Sequence, residues 1–201
     1  MGRVGAVRIA IAAPPRNSRT LDERLFVRYP AIYRALSRVV MGLTPGSRLR
    51  RALLRRSVAS SFAAFARRDF ELVLLLFAHD IEYEAPAGAQ IVGFSGTIRG
   101  RSALAEAYVE SVEDLERWEI TPEWMLDLRN VLVVLGTSRI RGRESGLELE
   151  EEWASVYALR GGLVARQQDL RSWGEALRAV QADPNAVPQA LQPKAPGTRA
   201  K

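Results

Sequence analysis

The 201-residue chain contains no cysteine, one histidine (His79) and only two lysines, Lys194 and Lys201. Without cysteine there are no disulfides, thiolate ligands or thiol nucleophiles. One histidine cannot build a multi-histidine metal site and supplies a Ser–His triad poorly, so no metal and no cofactor are expected. No apolar run approaches the roughly 20 residues of a membrane-spanning helix. The apolar stretch from Val4 to Ala13 is short and interrupted by Arg8, unlike a secretory signal. These absences set the expectation of a cytoplasmic protein. There is no phosphate loop or dinucleotide fingerprint. Ser95, within Gly93-Phe94-Ser95-Gly96, lacks the strand-to-helix setting of a nucleophile elbow.

What is present is unevenly distributed. Residues 1–57 hold 13 arginines against two acids, Asp22 and Glu23, whereas residues 58–201 hold 16 basic and 21 acidic residues. A basic arm is thus joined to an acidic body. Such an arm suits its own domain's acidic face, an anionic membrane or nucleic acid. Docking on the domain is preferred. A membrane stays open as the second partner, because Leu21 to Leu43 carries an apolar stripe and Arg48, Arg50, Arg51, Arg55 and Arg56 crowd the next stretch. Nucleic acid is not expected: few aromatics interleave with the arginines and no recognition motif appears.

Hydrophobic spacing sets the element order. Residues 1–19 carry Pro14-Pro15 without periodic apolar residues and are expected to be disordered. Residues 20–56 read as the basic helical arm, 57–181 as the main domain and 182–201, with four prolines, as a disordered tail. Pro30 either starts a second helix or kinks one, and Ser47 is a helix cap. Helices are predicted over 48–66, from Asp69 through Phe77, over 102–112 and over 173–180. Strands are predicted around 81–85, 117–128, 130–142, 147–159 and 163–170. His79 falls in the loop before the first strand.

The hairpin around Arg143-Glu144-Ser145-Gly146 predicts its own register. Pairing residue 142 with 147 places Arg141 opposite Glu148, Arg139 opposite Glu150 and Trp153 opposite Gly136. One face then collects Leu132, Val134, Ile140, Leu149, Glu151, Trp153 and Tyr157. The other becomes apolar at Val131, Val133, Leu135, Val156 and Ala158. A sheet apolar on both faces needs a second partner, which predicts a homodimer.

Four segments then resemble the SnoaL-like, nuclear transport factor 2-like superfamily, which includes ketosteroid isomerase and limonene epoxide hydrolase. They are Phe65-Ala66-Arg67-Arg68-Asp69-Phe70, Ala78-His79-Asp80-Ile81-Glu82-Tyr83, Ile98-Arg99-Gly100-Arg101-Ser102-Ala103-Leu104 and Val156 to Val164, the last followed by Asp169. The resemblance covers about residues 57–180. It implies an α+β cone: a curved antiparallel sheet packed on N-terminal helices, here with an extra basic arm, enclosing a pocket and commonly dimeric.

The resemblance also implies a role for Asp169, since several family enzymes carry a pocket acid near the end of the last strand. Burial would raise its pKa and suit it to general-base work. Its direction depends on the preceding turn. A three-residue loop, Arg160-Gly161-Gly162, puts it on the face of Trp153 and Tyr157; a two-residue loop turns it away. Tyr83, Trp153, Tyr157 and Glu151 are the candidate ligand-binding residues, with Glu151 placed at the rim by its neighbours Glu150 and Glu152. Ala85-Pro86 stands where the ketosteroid isomerase pattern has an acid before the proline, so that isomerase mechanism is not expected. The chain therefore reads as a pocket protein for a small, largely apolar molecule, isomerising, cyclising or hydrating it with Asp169. The alternative is a non-catalytic dimerisation or ligand-sensing module.

Overall fold

A computed structural model describes residues 7–11, 17–86 and 96–180. The helices are α1 (Leu21–Arg28), α2 (Pro30–Gly42), α3 (Arg48–Ala66), α4 (Phe70–Leu74), α5 (Arg101–Glu113) and α6 (Trp173–Ala179). The strands are β1 (Val7–Ala10), β2 (Phe77–Glu84), β3 (Thr97–Arg99), β4 (Leu115–Asp127), β5 (Val131–Gly142), β6 (Glu148–Arg160) and β7 (Leu163–Leu170). The expected tail over 182–201 and the Ala/Gly-rich loop over 87–95 lie outside the described residues.

Local chemistry explains the breaks. Pro30 occupies the first turn of α2, where its missing N–H costs nothing, so the arm is two helices joined at Tyr29. Ser47 caps α3 by accepting from the Arg50 N–H, and Asp69 caps α4 by accepting from the Leu72 N–H. Both caps were legible beforehand. The helix predicted through Phe77 ends at Leu74 instead, and Phe77 already begins β2. His79 therefore lies in a strand, exposed, rather than in a loop.

The strands form one curled, unclosed sheet in the order β1-β4-β5-β6-β7-β2-β3. Neighbours are antiparallel except β2 and β7, which run parallel. The β5–β6 register is the predicted one, with Arg139 opposite Glu150 and Gly136 opposite Trp153. The backbones of β4 and β5 approach closely at Gly136. A bulge on β4 between Pro122 and Trp124 faces it, and a Cβ at Gly136 would meet the Thr121 carbonyl oxygen at 2.1 Å.

Two elements differ from expectation. Val7–Ala10 is a strand paired with β4, with Ile9 and Ile11 buried beside Val40, Leu54 and Met125. Alternation at Val7, Ile9 and Ile11 is a period-two signal too short to stand out beside Pro14-Pro15. The second difference concerns the outer face of the sheet. Val133, Leu135 and Ala154 are covered by Trp173, Ala176 and Leu177 of α6, within the same chain. The Trp173 indole also donates to the Gly136 carbonyl at 2.9 Å. α6 thus covers the part of this face around Val133, Leu135 and Ala154, while Val131 and Ala158, on which the expectation of a homodimer also rests, lie outside that cluster and are half-buried.

The arm is built into the domain. The expected boundary at residue 56 falls inside α3. Arg50, with no accessible surface, makes a bidentate pair with equally buried Asp127 at 2.7 and 2.8 Å. The same guanidinium donates to the carbonyls of Met41, Leu43 and Arg129, tying the α2–α3 turn to the β4–β5 turn. Buried Glu23 on α1 accepts from Ser60, Arg67 and the Thr20 N–H, and Arg19 pairs with Asp69. Docking of the arm on its own domain is what the structure shows.

A candidate active-site cavity

Between α1–α3 and the inner face of the sheet lies a cavity of about 290 Å³. Its walls are mainly apolar, from Phe26, Leu53, Phe62, Phe65, Leu132 and Val134 among others. Two polar groups interrupt them. On the arm side, the Tyr33 hydroxyl is hydrogen-bonded with Ser37 and Ser57, near the Asp22–Arg56 ion pair. On the sheet side stand Tyr83, Tyr157, Gln167 and Asp169.

The direction of Asp169 is set by a bulge. The β6–β7 turn has two residues, Gly161 and Gly162, with Arg160 paired to Leu163. That turn alone would aim Asp169 away from the cavity. However, Leu159 pairs with Val164 and Ala158 with Arg166, leaving Ala165 as an extra residue. The slip returns Gln167 opposite Tyr157 and Asp169 opposite Ser155, on the cavity face. Neither expected alternative is realised as stated: the turn is short, yet the acid points inward.

Asp169 is held from several sides. The Tyr83 hydroxyl donates to Oδ2 at 3.0 Å and the Gln167 amide donates to Oδ1 at 2.9 Å. Ser155 and Trp153 also hydrogen-bond to the carboxyl. It borders the cavity and so keeps some accessible area, but bulk water is largely excluded. That desolvation raises its pKa above the ordinary aspartate range, while Gln167, Ser155, Tyr83 and Trp153 pull in the opposite direction. The tyrosine hydroxyls respond in turn. Burial first, and the Asp169 charge second, push Tyr83, Tyr108 and Tyr157 upward, so each stays a neutral donor.

The structure brings together Tyr83, Trp153, Tyr157 and Asp169. Trp153 meets Phe62 edge to face at 5.3 Å and forms part of the wall. Glu151 does not join them: it is exposed, opposite Ser138, and does not line the cavity. The glutamate run around it is a solvated strand end. Gln167 and Tyr108 line the cavity without having been singled out; Gln167 shares the bulge-dependent face of Asp169, which spacing alone does not reveal. The Gln167 Oε1 is buried without a hydrogen-bond partner. Among the described residues no three Asp, Glu or His side chains gather closely enough to hold a metal, and no helix is long and apolar enough to cross a membrane.

Comparison with known proteins agrees with this fold. No curated protein is significantly similar in sequence. Among solved structures, a nuclear transport factor 2-like protein of unknown function from Burkholderia pseudomallei is 26% identical with a TM-score of 0.53, covering 63% of this chain and 96% of its own. TerC, co-crystallised with polyporic acid, is 21% identical with a TM-score of 0.53, covering 63% and 97%. A protein assigned as a SnoaL-like polyketide cyclase from Shewanella denitrificans is 13% identical with a TM-score of 0.50, covering 64% and 99%. These relatives are matched over nearly their whole length by under two thirds of this chain. The profile of the SnoaL-like domain matches residues 58–167, more than half of the sequence, and the chain belongs to that family.

Proposed function

We propose that the chain binds a small, largely apolar molecule in the cavity and uses Asp169 on it as a general base. The observation that carries this reading is a desolvated carboxylate, aimed by a bulge into an apolar cavity and oriented by Tyr83 and Gln167. A base with a raised pKa and fixed lone pairs takes a proton from a carbon next to a carbonyl, or from a water aligned on the ligand. In the first case the C–H electron pair moves into the enolate and the proton rests on Asp169. Return of that proton from Asp169 to another carbon isomerises the ligand, while attack of the enolate carbon on a second carbonyl closes a ring and leaves an alkoxide that takes the proton back from Asp169. Tyr157, neutral and on the same wall, supplies a donor for the developing oxyanion. Tyr83 is already bonded to the carboxylate, so it positions the base.

The test is hydrogen exchange. Incubated in D2O with a panel of apolar cyclic ketones, the protein should enrich deuterium at the carbon next to the carbonyl, and Asp169→Asn should not. Equal exchange by both proteins would remove Asp169 from the chemistry. The second reading, a ligand-sensing module without turnover, is favoured by Ala85, a buried methyl where the ketosteroid isomerase pattern has an acid.

A further inference from the structure

The docking contacts use only one side of the arm, and its outward side has a composition that the cavity chemistry does not explain. On α2, Val40 is buried while Tyr33, Ser37 and Met41 are half-buried against the domain. Ile32, Leu36 and Val39 follow each other at helical spacing along the adjoining side, and all three are exposed. On α1, Leu21 and Leu25 continue the pattern, and Leu21 leaves 84% of its surface open. Scattered exposed leucines are ordinary, but an apolar row along consecutive helices is not.

The exposed charge of the arm has one sign. Arg24, Arg28, Arg34, Arg38, Arg48 and Arg55 are exposed. Residues 17–57 contain two acids only: Asp22 is bonded to Arg56, and Glu23 is buried under Arg67 and Ser60. The arginines that dock the arm, Arg19, Arg50 and Arg56, are separate from these six. The outward side therefore offers apolar side chains on cationic helices whose own two carboxylates are both paired.

We propose that the outward face of α1 and α2 lies on an anionic lipid bilayer, with Leu21, Leu25, Ile32 and Val39 in the headgroup boundary and Arg24 and Arg28 on lipid phosphates and carboxylates. An apolar stripe flanked by arginines is the pattern of a helix lying in the interfacial plane. A second copy of the chain fits less well, since a two-fold contact through this face brings like charge against like charge. Nucleic acid would leave the apolar row in water. Leu36 belongs both to the exposed row and to the cavity wall, so the membrane-facing surface adjoins the cavity for an apolar ligand.

The test uses the full chain and vesicles of phosphatidylcholine with or without phosphatidylserine. Co-sedimentation is expected with the anionic vesicles only, and it should fall steeply as salt is raised. Replacing Arg24 and Arg28, which neighbour Leu21 and Leu25 on α1, together by Gln should lower partitioning by about fivefold per arginine. Ile32→Ser with Val39→Ser should lower it at unchanged charge, and these exposed sites should leave the melting temperature unchanged. Equal binding to neutral vesicles, no binding to anionic ones at low salt, or variants that bind as the parent does would each overturn the proposal. So would sedimentation showing a dimer that Ile32→Ser dissociates, which would assign the face to a second copy.

Discussion

The Tyr83 hydroxyl on β2 donates to the Asp169 carboxylate on β7 across 3.0 Å, between the two strands of the sheet that pair in parallel. This bond favours the charged carboxylate and so works against the desolvation that raises its pKa. Tyr83→Phe removes the donor and keeps the ring. The Asp169 pKa should then rise further, and the acid limb of any pH–rate profile should move to higher pH. An acid limb that stays in place would detach Tyr83 from the ionisation of Asp169.

Asp169→Asn should separate stability from activity. The folded carboxyl keeps its proton to higher pH than the unfolded one. Its contribution to stability is therefore fully present at low pH and is lost as pH rises through the folded pKa. An amide at this site carries no charge to desolvate. With the Gln167 amide turned over, the unpartnered Oε1 would accept from the new N–H. The variant should melt higher than the parent at neutral pH and lose that advantage in acid, while turnover falls about 10²-fold or more. Thermal scans across pH check the first part.

Arg50 and Asp127 pose the opposite case. Arg50→Ala leaves a carboxylate buried without its partner and strands the carbonyls of Met41 and Leu43. The expected loss is about 3–5 kcal/mol, read by urea unfolding. Combining it with Asp127→Asn should recover part of the loss, since the uncompensated charge is then gone. An additive double variant would contradict the pairing.

The face formed by Val133 offers a further check. It packs under Trp173 and Leu177 of α6, so Val133→Glu should destabilise the isolated chain by several kcal/mol, at least the ~3 kcal/mol typical of an unpaired buried charge. Unchanged melting with altered sedimentation would instead mark that face as one that another subunit covers.

Much of this architecture was written in local patterns. The β5–β6 register followed from Arg139 facing Glu150 and Trp153 facing Gly136, because charge and volume complement each other only in one alignment. Ser47 and Asp69 announced their helices because capping acts within one turn. What stayed hidden depends on distance or on a backbone irregularity. Arg50 and Asp127 lie 77 residues apart, and nothing in either neighbourhood marks the other. The extra residue at Ala165 decides the aim of Asp169, yet a bulge without glycine leaves no compositional trace. Glu151 misled because the alternation that puts it on the face of Trp153 does not show that the cavity ends short of it.

The chemistry proposed for the cavity depends on Asp169 being a desolvated carboxylate at its apolar wall. Its titration can be followed directly from the carboxyl carbon by NMR, with Asp169→Asn identifying the signal, first alone and then with naphthalene filling the cavity. The midpoint should lie above the ordinary aspartate range and climb further when naphthalene displaces the remaining water. A midpoint within or below that range, indifferent to naphthalene, would mark Asp169 as an ordinary solvated carboxylate and leave the cavity without its base.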